Sequence, residues 1–175
     1  MNEDQLKEYE DNKWALNIRI DQSIRYHNHR KRFFATTHNW ITFLVALTGT
    51  ATFVTVIAEL GQKAPLIAAF LVTVCSLADL IIRSPEKIRL YDELSRRFIG
   101  LDKKLLLLKK PDPDLLLQIQ ADILDIEADE PPPLRILNAI CRNETLQAKG
   151  CKKDKIIGQW QQRLKHFYDL NPGSI

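Results

Sequence analysis

The fold is decided by two apolar stretches, WITFLVALTGTATFVTVIAEL at residues 40–60 and APLIAAFLVTVCSLADLII at residues 64–82. No residue from 33 to 58 carries a formal charge when His38 is neutral, and these 26 positions correspond to roughly 39 Å of helix. The second stretch has 19 residues, which just spans a hydrocarbon core of about 30 Å. The stretches therefore predict two membrane-spanning helices; the alternative is a buried helical hairpin in a soluble core.

The segment between the two stretches, Glu59-Leu60-Gly61-Gln62-Lys63, predicts a tight hairpin. Gly61 suits the end of one helix, and Pro65 suits the first turn of the next. Lys63 is the only basic residue of this loop, whereas the other ends of both spans are rich in them: Arg25, Arg30, Lys31 and Arg32 before, and Arg83, Lys87, Arg89, Arg96 and Arg97 after. The positive-inside rule therefore places both termini in the cytoplasm, with the hairpin in the cytoplasmic (inner) membrane.

Charge and cysteine content exclude several classes of protein. Residues 33–82 contain three charged side chains, and the other 125 residues carry the remaining 44 of 47. The net charge of +3 is too small to predict nucleic-acid contact. Three widely spaced cysteines without a Cys-x-x-Cys pair argue against a disulfide framework and against a zinc ribbon.

Apolar residues also recur at helical spacing outside the spans. Stripes are present before the hairpin (Leu6, Tyr9, Leu16, Ile20, Ile24) and after it (Ile88, Tyr91, Phe98, Leu101, Leu105, Leu108). Asp112-Pro113 predicts the start of a further helix that ends at the prolines 131–133. Its inward residues are Leu116, Ile119, Ile123 and Ile126. A fourth helix with Leu134, Leu137, Ile140 and Cys141 follows, and a last one covers about residues 156–168.

These patterns predict an all-α membrane protein in which a two-helix transmembrane hairpin is extended by a cytoplasmic helical bundle. Residues 1–32 are expected to form an N-terminal cytoplasmic amphipathic helix. Residues 33–84 would form the hairpin, with spans at about 38–60 and 64–83. Residues 85–175 would form a C-terminal cytoplasmic helical region.

Polar and small residues within the spans follow helical spacing. Thr48, Thr52, Thr55 and Glu59 fall on one side of the first span. They are candidates for lining an aqueous pore, which requires several hairpins because one hairpin cannot enclose a channel. Candidates for close helix packing are Thr42, Ala46 and Thr50 in the first span and Ala69, Thr73 and Ser76 in the second. The alternative is that every one of these residues packs, with hydroxyls bonded to backbone carbonyls.

Asp79 is a carboxylate within the second span, and Arg83 follows it by four residues. This spacing suits an ion pair on a helix, near the cytoplasmic end where solvation is cheap. The favoured prediction is therefore an intramembrane Asp79–Arg83 ion pair. A functional role for a lone intramembrane carboxylate is the alternative.

No pattern predicts catalysis, a cofactor or a metal site. His27 and His29 are two residues apart, about 200° around a helix, so they cannot chelate one ion from that helix. His38 and His166 are isolated, and the sequence has no Gly-rich phosphate loop or His-Glu-x-x-His motif. Glu127, Asp129 and Glu130 are expected to face solvent or pair with basic groups such as Arg135, with a metal site as the weaker alternative.

Four segments together resemble a known family: Arg25-Tyr26-His27-Asn28-His29-Arg30-Lys31-Arg32-Phe33-Phe34, Arg89-Leu90-Tyr91, Ile126-Glu127-Ala128-Asp129-Glu130-Pro131-Pro132-Pro133-Leu134-Arg135, and Cys141-Arg142-Asn143-Glu144. Over roughly residues 10–150 the chain resembles the SLATT family, two-transmembrane effector domains found beside nucleotide-signalling proteins in bacterial conflict systems. The resemblance implies a pore-forming effector that assembles on a signal and permeabilises the cytoplasmic membrane during anti-phage defence.

The partners expected on this interpretation are the lipid bilayer, further copies of the same chain, and a separate sensor protein or a diffusible nucleotide signal. The competing hypothesis is a non-conducting membrane tether whose cytoplasmic helices bind a partner protein. A membrane enzyme that uses Glu127, Asp129 and Glu130 is the least favoured hypothesis.

Overall fold

A computed structural model of the chain describes residues 2–48, 50, 61, 63–166 and 173–174. Within these residues the helices are α1 (Glu3–Thr48), α2 (Ala64–Ile82), α3 (Ser84–Leu106), α4 (Pro113–Ala128), α5 (Arg135–Ala148) and α6 (Gln159–Leu164). Two short strands, β1 (Lys155–Ile156) and β2 (Gly173–Ser174), pair antiparallel. The predicted all-α class is confirmed, since these two-residue strands are the only described departure from helix and loop.

The chain divides into two compact units. We call Lys31–Leu90 the central unit, and Met1–Arg30 together with Tyr91–Ile175 the terminal unit. These boundaries lie near the predicted limits of the hairpin at residues 33 and 84. The N-terminal and C-terminal cytoplasmic regions expected from the sequence therefore belong to one folding unit.

The core of the terminal unit is built from the predicted apolar stripes. All four inward positions expected in α4, Leu116, Ile119, Ile123 and Ile126, are buried. From α3, Phe98 is fully buried. Burial of these faces removes apolar area from water at about 25 cal/mol per Å², which is the main stabilising term of such a helical unit.

Local signals mark several helix boundaries. The Asp112 carboxylate accepts a hydrogen bond from the Leu115 backbone N–H at 3.1 Å, with Pro113 in the first turn of α4. Pro65 occupies the first turn of α2, and Gly61 before it has φ of +119°. Residues 131–134 lie outside helices, as the three prolines predict.

The last helix departs from its prediction. A helix beginning near residue 156 was expected, but Lys155 and Ile156 form β1 and α6 begins only at Gln159. The Gly158 backbone N–H donates to the Gln161 side chain at 2.9 Å, which caps the later start. The apolar spacing near residue 156 was therefore a wrong indicator of the helix start.

Candidate functional site

Helix α2 is apolar along its whole length and exposed. None of its 19 residues, all of which the structure describes, is buried. The largest exposed fractions belong to Ile81 (80%), Leu66 (74%) and Leu80 (73%). Among the described residues, one helical run, Ala64–Leu106, is long and apolar enough to contain a membrane span. This finding is consistent with a membrane protein. Residues 51–60, which make up most of the outer half of the first predicted span, lie outside the described residues.

Asp79 of α2 pairs with a histidine of α1 within the central unit. The distance from His38 Nδ1 to Asp79 Oδ2 is 2.7 Å. Arg83 instead lies 3.5 Å from the Glu86 carboxylate, and both of these side chains are 70% exposed. The predicted Asp79–Arg83 ion pair is therefore wrong, since Asp79 pairs with His38 and Arg83 with Glu86. Arg83 ends α2 with φ of +54°, so its side chain does not continue the helical i,i+4 geometry on which that prediction depended.

The described hydroxyl groups of the predicted stripes bond to their own helix. Thr48 donates to the carbonyls of Leu44 (2.9 Å) and Val45 (3.1 Å), Thr50 donates to Leu47 at 2.9 Å, and Thr73 donates to Ala69 at 2.8 Å. This matches the packing alternative for these three threonines. Three of the four pore-lining candidates, Thr52, Thr55 and Glu59, lie outside the described residues.

The packing candidates have open faces. Thr42 and Ala46 of α1, and Ala69 and Thr73 of α2, are exposed, and Ser76 is half-buried. A row of small, exposed residues leaves room for close approach of another helix. Their role in helix packing stays a prediction.

In the terminal unit, α1 is joined to α4, α5 and the segment between them by four polar pairs, which we call the polar seam. Arg19 meets Glu127 with two hydrogen bonds of 3.0 and 2.5 Å. The other pairs are Gln22–Asn138 at 2.6 Å, His27–Glu130 at 2.9 Å and His29–Glu144 at 3.1 Å. The seam connects positions more than 100 residues apart, and a bidentate Arg–carboxylate pair is its most directional contact.

The centre of the seam is a buried histidine. His27 is 1% exposed, and its ring stacks on Phe98 at 5.5 Å and on Tyr91 at 5.9 Å between centroids. Its Nε2 meets the Glu130 carboxylate, whose side chain is 15% exposed. One ring nitrogen is hydrogen-bonded and two aromatic rings stack on the imidazole, which offsets part of the cost of burying this polar group, while its buried Nδ1 has no hydrogen-bond partner among the described residues.

The three prolines complete the same region. Prolines have no backbone N–H, so the first available donor after residues 131–133 is Leu134. That N–H donates to the Tyr26 hydroxyl at 3.0 Å. Burial raises the pKa of Tyr26, which keeps this hydroxyl protonated. Arg19, Tyr26 and Pro131 are among the residues that line a pocket of about 330 Å³ here.

The acidic segment before the prolines is fully paired. Glu127 binds Arg19, Asp129 binds Arg97 at 2.6 Å, and Glu130 binds His27. The three carboxylates point to three different partners, which matches the predicted pairing with basic groups. The partners come from α1 and α3, and nothing in the local sequence of the acidic segment predicted these two helices.

Asn143 and Glu144 have separate structural tasks. Asn143 is 7% exposed. It donates to the Lys155 carbonyl at 2.7 Å and accepts from the Asp154 and Lys155 N–H groups at 3.0 and 3.1 Å. It thereby fixes the loop and β1 against α5. Glu144, one residue further, turns to His29 of α1 instead.

One group of potential metal ligands emerges that the sequence did not predict. His29, Cys141 and Glu144 each offer one ligand atom, and these atoms lie within 4.8 Å of one another. Cys141 is fully buried, and burial raises the pKa of its thiol to about 12. Only the spacing of Cys141 and Glu144 on one helix face was visible in the sequence, because His29 is more than 100 positions away.

Neither the sequence nor the fold matches a family model, a curated protein or a solved structure.

Proposed function

We propose that this chain is a SLATT-like pore-forming effector of the cytoplasmic membrane. It is inserted as a two-span hairpin with both termini in the cytoplasm. It assembles into a homo-oligomer on a signal from a separate sensor protein or nucleotide and permeabilises the membrane, in anti-phage defence. The observation that carries the proposal is the exposure of α2, an apolar helix of spanning length with no buried residue.

Such a surface is not stable in water. Soluble monomers rarely expose a contiguous apolar patch above a few hundred Å². The 19 residues of α2 form a helix of roughly 28 Å, close to the thickness of the hydrocarbon core. Lipid tails therefore provide an apolar environment for α2, which the described residues leave without a buried position.

The distribution of polar groups along the central unit supports a defined depth of insertion in the bilayer. Phe43 and Trp40 of α1 lie in edge contact at 6.0 Å, and an exposed tryptophan at a span end suits the headgroup layer. The His38–Asp79 contact gives the one acidic residue of α2 a polar partner at 2.7 Å. Paired polar groups near a span end are tolerated far better than a lone charge at the membrane centre.

Assembly is supported by the exposed row of small residues on α2. Ala69 and Thr73 lie one turn apart, and the Thr73 hydroxyl is already bonded to its own backbone, so the face can close against another helix without losing a hydrogen bond. The pore-lining assignment of Thr48, Thr52, Thr55 and Glu59 remains a prediction from the sequence.

The test is dye and K⁺ release from phosphatidylethanolamine–phosphatidylglycerol vesicles as the protein-to-lipid ratio is raised. We expect release to increase more steeply than linearly with protein, because several hairpins must meet and a high density of hairpins in the membrane drives assembly by mass action even without the signal. Thr55→Leu should abolish release without changing the cross-linked oligomer, whereas Phe43→Leu, an apolar exchange at an exposed position on the opposite side of the predicted span from the lining stripe, should leave release unchanged. A protein that stays monomeric at every ratio would overturn the proposal.

Glu59 gives a second measurement in the same vesicles. A carboxylate at the mouth favours cations, so Glu59→Gln should move the reversal potential of a KCl gradient toward zero. An unchanged reversal potential would remove Glu59 from the pore while leaving the lining threonines to be tested separately.

The second candidate is a non-conducting tether that binds a partner through its cytoplasmic helices. The hydrogen bonds of Thr48 and Thr73 to their own helices favour it, since these hydroxyls need no water. A tether predicts stable insertion and an unchanged vesicle permeability at all protein-to-lipid ratios. Neither candidate requires a catalytic step.

A further inference from the structure

The strongest unassigned feature lies in the terminal unit, where three side chains of different chemistry converge. His29 comes from α1, and Cys141 and Glu144 come from α5. Their ligand atoms all lie within 4.8 Å of one another. A nitrogen, a sulfur and a carboxylate oxygen that meet in this way form a donor set, which a cluster of acidic residues alone does not.

The backbone explains why the three meet. Cys141 and Glu144 are three residues apart on α5, so they share one helix face. The third donor is brought in by α1, and its Nε2 lies 3.1 Å from Glu144 Oε2. The Gln22–Asn138 pair, a few residues earlier on both helices, holds α1 and α5 in this register.

The donor set fits a borderline-soft divalent ion. Zinc binds histidine nitrogen and carboxylate oxygen at about 2.0–2.2 Å and cysteine sulfur at about 2.3 Å, so ligand atoms around it are separated by about 3.3–3.8 Å. The 3.1 Å between His29 Nε2 and Glu144 Oε2 and the upper limit of 4.8 Å for the set lie on either side of this range. The side chains of His29 and Glu144 are 27% and 38% exposed, which gives an ion a route from solvent.

The charges nearby are mixed. The positive charges of Lys165 and Arg25 act on the Cys141 thiol, and both charges disfavour a bound cation. A thiolate from Cys141 and the Glu144 carboxylate supply two negative charges, which balance the two positive charges of a divalent metal ion. Binding therefore exchanges the thiol proton, released to solvent, for a metal–sulfur bond, and it replaces the hydrogen bond between His29 and Glu144.

We propose that His29, Cys141 and Glu144 bind one divalent transition-metal ion of the zinc class, which joins α1 to α5. Three protein ligands leave a fourth position open to water. The metal adds a crosslink to the polar seam, and this role does not depend on whether α2 forms a pore.

The test uses the full-length protein in detergent, stripped with a chelator, and titrated with Co²⁺ as a spectroscopic probe and then with Zn²⁺. We expect one equivalent of Co²⁺ to give a near-ultraviolet thiolate-to-cobalt absorption that Zn²⁺ displaces. The matched control is a variant with Cys75→Ser and Cys151→Ser, which keeps only the buried thiol and should retain the absorption in full. Absence of the absorption from the unsubstituted protein would overturn the proposal.

Variants of the three ligands complete the test. Cys141→Ser should lose the absorption. Glu144→Gln and His29→Gln keep the thiol and the fold, and each should weaken Zn²⁺ binding at least as much as the roughly 10–100-fold loss typical of outer-shell partners. If Cys141→Ser does not fold, as judged by circular dichroism, these two variants decide. Unchanged Zn²⁺ affinity in both of them would refute the site.

Discussion

In the terminal unit Phe98 and Ile119 are fully buried, whereas in the central unit Ile81 and Leu80 remain 80% and 73% exposed. Both units present apolar residues on helices, and the buried apolar residues among the described positions lie mostly in the terminal unit, whereas α2 of the central unit has no buried residue. It also crosslinks its helices with the polar seam, while the described part of the central unit has one comparable pair, His38–Asp79. The comparison teaches that apolar helices of one chain can either form an internal core or leave an exposed apolar surface.

The largest effect is expected where the terminal unit is most tightly packed. Phe98→Ala removes a ring with no exposed area that stacks on His27, and it should lower the free energy of unfolding by about 3–5 kcal/mol. The matched variant Phe70→Ala, in the 67% exposed position of α2, should change it by no more than about 0.5 kcal/mol. Chemical denaturation in detergent, followed by circular dichroism, measures both. Equal losses would mean that α2 is packed against protein.

The next effect tests the environment of α2 directly. Leu71→Arg places a charge in the middle of the helix, and it should make membrane insertion less favourable by about 2.5–3.5 kcal/mol. Leu107→Arg is the control, because Leu107 is 75% exposed in the terminal unit and is not expected to touch lipid. Carbonate extraction of membranes separates the two variants. Full membrane retention of Leu71→Arg would contradict a span at α2.

A smaller loss is expected from the polar seam. Glu130→Gln keeps the size of the side chain but removes its charge next to buried His27, and a hydrogen bond to a charged group contributes about 1.5–3 kcal/mol. Glu86→Gln, on a 70% exposed carboxylate paired with Arg83, should cost less than about 1 kcal/mol. Thermal unfolding of the two variants side by side gives the difference. Similar losses would show that the seam is not buried in solution.

The smallest effect concerns helix starts. Asp112→Ala removes the side-chain cap of α4 and should destabilise the terminal unit by about 1 kcal/mol. Lys63→Ala, at the equivalent position before α2, should have no measurable effect because Lys63 makes no side-chain cap bond. Urea titration of both variants gives the comparison, and a cost at Lys63 would indicate a role at the membrane surface.

Local features of the fold were predictable from the sequence. The start of α4 at Asp112-Pro113 and the four inward residues of α4 follow from spacing and capping within one helix. The turn at Arg83 was not predictable, because a left-handed residue there has no signature in a chain without glycine at that position. The i,i+4 argument for Asp79 failed for the same reason.

The contacts of the candidate sites were beyond sequence reasoning. Arg19–Glu127 and His27–Glu130 join positions 108 and 103 residues apart, and helical spacing says nothing about which face of one helix meets which face of another. For His27 and His29, the spacing predicted only that one helix could not place both rings on the same ion. Each instead meets a different carboxylate, and for His29 that contact also brings a cysteine within reach.

The hydrogen bonds of Asn143 to Asp154 and Lys155 have a practical consequence for expression in a eukaryotic secretory host. Asn143-Glu144-Thr145 is an acceptor sequence for N-linked sugar, but the amide nitrogen that would carry the glycan donates to Lys155, and Thr145 is fully buried. Sugar transfer is therefore possible only before this unit folds and only if the segment enters the lumen. A glycosylated band on a gel would report chains whose C-terminal region entered the lumen before the terminal unit folded.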